Sequence, residues 1–115
     1  MEDSILTSIK LALGLPEEYE VFDQQLIMHI NSAISVLTEL GVGPESGFKI
    51  TSKDEVWDDF LDDPNLLELC KTATYLRVRL MFDPPANSFV VTSIEKQLSE
   101  YDWRINIMID NIGGY

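Results

Sequence analysis

The sequence predicts an all-α fold, a small four-helix domain with a short extra acidic helical turn and a long C-terminal helix, and three observations predict it. Apolar residues recur at three- and four-residue spacing in four separate stretches of the 115-residue chain. Helix-starting residues open each stretch, Asp3, Asp23, Asp63-Pro64 and Asn87 or Ser88, and helix-stopping residues close the first three, Gly14, Gly41 and Pro84-Pro85. Only one short stretch, Phe48 to Thr51, reads as extended.

The first helix is short, over about 4 to 13, with Ile5, Leu6, Ile9 and Leu13 on one side behind an Asp3 cap. Asp23 is expected to cap the second, over 23 to 40, where Leu26, Ile27, Ile30, Ala33, Ile34, Leu37 and Leu40 form one stripe and Gly41 supplies a left-handed stop. Residues 41 to 53 carry loop chemistry, with Phe48 to Thr51 the only extended stretch. In the acidic turn that follows, Trp57, Phe60 and Leu61 face inward while Asp54, Asp58 and Asp62 share an outer side at i, i+4. The third helix, 64 to 82, has two apolar stripes, Leu66, Cys70, Ala73, Leu80 and Tyr75, Val78, Phe82, which places it at the centre with neighbours on both sides.

The last helix, from 88 to about 110, steps through Val91, Ile94, Leu98, Tyr101, Ile105, Met108 and Ile112 in a seven-residue rhythm. That stripe is enough for a core. Trp103, Ile107 and Ile109 lie off it, so the distal half of the helix is apolar around more of its circumference than a monomer requires. Gly113, Gly114 and Tyr115 carry no order signal. Neither a repeat nor a linker interrupts the sequence, so residues 1–115 are expected to form one domain.

Charge narrows the function. Twenty acids oppose eight bases, a net charge of −12. Counterion release rewards only proteins that bring Lys and Arg to phosphate, so adhesion to nucleic acid is disfavoured. The imbalance is local: residues 1 to 63 hold 14 acids and 3 bases, residues 64 to 115 hold 6 and 5. A charged half joined to a neutral, apolar-rich half suits a molecule that buries one surface in an assembly and keeps the other wet. One Cys, no export signal and no apolar run near the ~20 residues that span a bilayer lead us to expect a reducing compartment and no membrane.

Catalytic chemistry finds little support. His29 has no second His, Cys or carboxylate at ligand spacing, and Cys70 sits on an apolar stripe. Gly41, Gly43 and Gly47 follow a helix and lack the Lys of a phosphate loop, so they read as a cap or hinge. Set against a calcium loop, the run from Asp54 has Val56, Asp59 and Asn65 at positions needing a ligand, a Gly and a bidentate Glu. The exposed acids Asp54, Glu55, Asp58, Asp59 and Asp62 read instead as a solvated or channel-facing surface. Arg77, Arg79 and Arg104 stand near aromatics, but ion pairs with Asp83, Glu100 or Asp102 are the expected use. No catalytic residue, metal or cofactor is expected.

The order Ile9-Lys10, Phe22-Asp23, Gly41-Val42-Gly43, Trp57-Asp58-Asp59-Phe60, Phe82-Asp83-Pro84-Pro85 and Tyr101-Asp102-Trp103-Arg104 resembles the head-tail connector (adaptor) proteins of long-tailed bacteriophages, often labelled DNA-packaging proteins. The resemblance spans nearly the whole chain. It implies a non-enzymatic structural protein that forms a homo-oligomeric ring, a dodecamer, beneath the phage portal protein and prolongs the DNA channel. It implies a second partner on the tail side, a head-completion or stopper protein, and DNA that passes without sequence-specific binding. Its place would be the head-tail junction of the virion, reached from the host cytoplasm during assembly.

Interface residues are then sought at Trp103, Arg104, Ile107 and Ile109 on the last helix and at Phe82, Pro84 and Pro85, whose two prolines also make a rigid corner. The rival reading is a small acidic DNA mimic or regulatory protein that occupies a DNA-processing partner. A mimic spreads its carboxylates over one whole face, whereas here they concentrate in the first 63 residues.

Overall fold

A computed structural model describes residues 4–112. Its helices are α1 (Ile5–Ala12), α2 (Asp23–Glu39), α3 (Trp57–Phe60), α4 (Pro64–Phe82) and α5 (Ser88–Ile112). The all-α expectation holds, and among the described residues the only β pairing is one isolated bridge, Ser4 with Val56. α4 lies between α2 and α5, and α1 packs on α2. The two apolar stripes of α4 thus have the neighbours they require.

Two helices end alike. In α1, Leu15 N donates to Lys10 O (2.9 Å) and Gly14 N to Leu11 O (3.0 Å), with Gly14 at φ 84°. In α2, Val42 N donates to Leu37 O (3.0 Å) and Gly41 N to Thr38 O (3.0 Å), with Gly41 at φ 100°. These paired bonds close the last carbonyls of each helix around a left-handed residue that only glycine adopts freely. At α4, Asp63 Oδ1 accepts from Asn65 N (3.1 Å) and Leu66 N (3.2 Å) ahead of Pro64. Asn87 is the residue that starts α5, its Oδ1 accepting from Phe89 N (2.7 Å).

Other expectations need correction. Ser4 caps α1, its Oγ accepting from Thr7 N (3.2 Å), and Asp3 lies outside the described residues. Asp23 is the first residue of α2 and does not cap it; its carboxylate pairs with Lys10 Nζ at 2.9 Å. Lys10 is 98% buried by its relative exposure of 2%, and it also donates to Glu17 O (2.7 Å), so one ammonium joins α1, the connection and α2. Phe48 to Thr51 forms no strand. Asn31 of α2 takes the place of a strand partner: its Nδ2 donates to Ile50 O (2.9 Å) and its Oδ1 accepts from Ile50 N (2.7 Å), fixing the buried Ile50.

The i, i+4 acidic face is not formed either. α3 has only four residues, and Leu61 is extended at φ −158°, ψ 132°, so Asp54 and Asp62 flank the helical turn instead of sharing a helix with Asp58. Trp57 and Phe60 do turn inward, both about 2% exposed, and Trp57 Nε1 donates to Ser8 Oγ at 2.9 Å. With Ile5 N donating to Glu55 O (3.0 Å), this ties the acidic turn to α1. Ile5, Leu26, Ile30, Ile34, Leu37, Leu66, Cys70, Val78 and Ile105 form the centre of the core.

Candidate interaction surface

The core decides which side chains remain for other work. α5 contributes Ile94 and Ile105 as buried residues, with Leu98, Tyr101 and Met108 partly buried on the same stripe; the Ile112 side chain lies outside what is described. On the opposite side, residues 89, 93, 96, 100, 103 and 107 step by 4, 3, 4, 3, 4 and form a second line along the helix. Its ends are apolar and its middle polar: Phe89 is 84% exposed, Trp103 64% and Ile107 42%, with Ser93, Lys96 and Glu100 between. At 1.5 Å per residue, Phe89 and Trp103 stand about 21 Å apart.

Arg104 adjoins this line and is exposed, its guanidinium 5.6 Å from the Tyr101 ring centroid. Among the described residues it has no carboxylate partner. Arg77 differs, because both of its terminal nitrogens engage Asp102, one at 3.0 Å, in a two-pronged pair that staples α4 to α5. The expected Arg77 pairing is therefore intramolecular. Arg79 Nη1 donates to the Tyr75 hydroxyl at 3.2 Å.

The residues singled out from sequence do not come together in one patch. Trp103, Arg104 and Ile107 do: 103 and 107 are one turn apart, and 104 and 107 are neighbours across the same turn. Ile109 is turned away, packing on the core with its Cγ2 facing Gly41, so it is not part of the outer line. Phe82 is half-buried, its ring edge-to-face with Phe22 at 5.2 Å and near His29 at 6.5 Å. Pro84 is exposed beside it and Pro85 half-buried, at the corner between α4 and α5. Phe89 was not among the residues expected to be exposed. Its signal was its place one line with Trp103 and Ile107.

The acidic residues divide by what they hold. Glu55 is spent locally: Oε2 accepts from Thr51 N (2.9 Å) and Thr51 Oγ1 (2.7 Å), and Oε1 from Ser52 N (3.1 Å). Burial works against its ionisation, yet the Thr51 and Ser52 hydrogen bonds outweigh burial and hold its carboxyl below the usual value. Asp59 Oδ2 accepts from Val56 N (3.2 Å) at the start of α3. Asp54, Asp58 and Asp62 are exposed, and no hydrogen bond or ion pair within the described chain uses their carboxylates.

Beside this turn lies a hollow of ≈ 560 Å³ lined by Phe60, Leu61, Leu66 and Ile109 and rimmed by Asp58, Asp59, Asp62 and Asp63; Phe60 and Leu66 are buried, so Leu61 and Ile109 supply its apolar surface. Gly43, at φ 79°, borders it; a Cβ there would stand 2.6 Å from Phe60 Cε1. Glycine at this position lets the loop close over the Phe60 ring.

Cys70 and His29 are both placed against the core. Burial, with lesser contributions from the charges of Asp102 and Asp63, pushes the Cys70 thiol up to about 12, so it stays protonated and inert at neutral pH. His29 packs against Phe82 and has no hydrogen-bond partner for its buried Nε2. Among the described residues no group of three His, Cys, Asp or Glu side chains could hold a metal ion, and no helix is long and apolar enough to cross a membrane.

A family model described as "Phage connector protein" matches residues 5–111. Neither a curated protein nor a solved structure matches the chain. The matched span takes in all of α1 to α4 and α5 up to its last residue.

Proposed function

Because the chain belongs to the phage connector protein family, we propose that it acts as one helical domain in a homo-oligomeric ring beneath the portal protein, prolonging the DNA channel and joining the head to a tail-side completion or stopper protein. The reading makes it a structural protein of the virion's head-tail junction, assembled in the host cytoplasm, with no catalytic role. The observation that carries it is the family match together with the outer line of α5. A folded chain of this size has no internal use for Phe89 and Trp103 at 84% and 64% exposure, and desolvated aromatic anchors are what assembled interfaces draw on.

Electrostatics supports the channel part. With a net charge of −12, the chain offers phosphate few cations to exchange for counterions, so DNA meets it without adhering. The exposed Asp54, Asp58 and Asp62 are suited to that contact or to solvent.

Cryo-electron imaging of particles assembled with and without the chain tests the proposal. We expect a ring of density between portal and tail in the first and its loss, with tailless heads, in the second. Tailed particles of unchanged junction density in its absence would overturn it.

A further inference from the structure

A ring needs a heterologous contact, in which one surface of a copy fits a different surface of the next. Two surfaces of this chain pair an apolar patch with an apolar patch and carry opposite charge. One is a knob: Trp103 and Ile107 protrude from α5 with the Arg104 guanidinium beside them, unpaired among the described residues. The other is the ≈ 560 Å³ hollow, apolar where Leu61 and Ile109 keep surface and acidic at its rim. Two of the four rim carboxylates are already committed, Asp59 to the start of α3 and Asp63 to the start of α4. Asp58 and Asp62 remain free within the described chain, and carboxylates are the groups a guanidinium pairs with best.

The knob cannot fill the hollow of its own copy. Ile109 reaches the hollow from the inward side of α5, whereas Trp103 lies six residues earlier and about 120° around the same helix. A copy whose knob is seated in a neighbour's hollow keeps its own hollow open to a third, so such a contact propagates.

Resting on the ring reading above, we propose that Trp103, Ile107 and Arg104 of one copy seat in the hollow of the next, the aromatic ring against Leu61 and Ile109 and the guanidinium between Asp58 and Asp62. Burial of the indole supplies the affinity. The charge pair sets the register and rejects the like-charged approach of hollow to hollow.

Charge reversal on particles assembled without the chain and then given purified full-length protein tests the contact, with bound copies and intermolecular cross-links as the readout and circular dichroism as the check on folding. The wild-type chain forms the ring. Arg104→Glu alone and Asp58→Lys with Asp62→Lys alone each lower ring occupancy at least tenfold while remaining helical. All three substitutions in one chain restore it, because the pair is reversed and not removed. Variants that assemble like wild type overturn this contact and leave the ring reading standing. Loss in the single-sided variants without restoration in the combined one also overturns it. Wild-type chain that binds without forming a ring overturns the reading and the contact together.

Discussion

α2 and α5 are both amphipathic helices of one molecule, and they use their apolar residues differently. α2 buries Leu26, Ile30, Ala33, Ile34 and Leu37 to 1% exposure or less, and its outer side is polar except for Met28. Among its described side chains α5 buries Ile105 fully and Ile94 to 8% exposure, then carries Phe89, Trp103 and Ile107 on the side the core never reaches. Hydrophobicity alone does not separate the two cases. What separates them is whether the apolar residues fall on one line or on two opposite lines, because a helix at the edge of a fold can bury only one. The second line on α5 is available to another protein.

The largest effects should come from cutting the buried line of either helix. Ile34→Ala in α2 and Ile105→Ala in α5 each empty a site of 0% exposure, so each should cost ~2–5 kcal/mol in chemical denaturation. A much smaller loss for Ile105→Ala would break the comparison, since it would make α5 dispensable to the fold. Asn31→Ala comes next. It strips both partners from the Ile50 backbone and should cost ~1–3 kcal/mol, with faster amide exchange at Ile50.

Those two classes of residue differ in how legible they were. Helix ends and the buried lines follow from local rules, and Gly14, Gly41, Asp63 and Pro64 behave as those rules require. Asn31 and Ile50 lie 19 positions apart, and nothing local marks an Asn on an apolar helix as the clamp for a distant loop. The Lys10 to Asp23 pair was missed for a related reason, because a buried ammonium is unusual and sequence gives it no signature.

On the outer line of α5, Trp103 and Ile107 were legible as residues off the heptad line. Ile109 was not. A straight helix of 3.6 residues per turn drifts about 20° per heptad from a seven-residue pattern, and over the length of α5 that drift carries Ile109 into the core. The acidic turn misled for a different reason: i, i+4 spacing has meaning only on a helix that lasts, and α3 ends after four residues.

Glu55 sharpens the contrast between spent and available acids. Its folded-state carboxyl is held below the usual value, so its stabilisation is complete above the ordinary carboxylate range and lost as the pH falls through the lowered value. Glu55→Gln should therefore flatten the acid side of the stability–pH curve slightly. At neutral pH the partly exposed group should cost less than ~1 kcal/mol after solvent screening. Melting scans of this variant and the wild-type chain across pH 3 to 7 would register the difference.

The smallest expected effect on folding bears on the largest claim. Trp103→Ala combined with Ile107→Ser removes the distal end of the outer line of α5 without touching the buried one. Thermal melting and ring assembly on portal-bearing particles should be measured on this same double variant. A melting temperature within about 2 °C of wild type, together with loss of the ring, is the outcome expected of side chains kept for a partner. A folded variant that assembles at wild-type strength, or one whose melting temperature falls as far as that of Ile105→Ala, would contradict it.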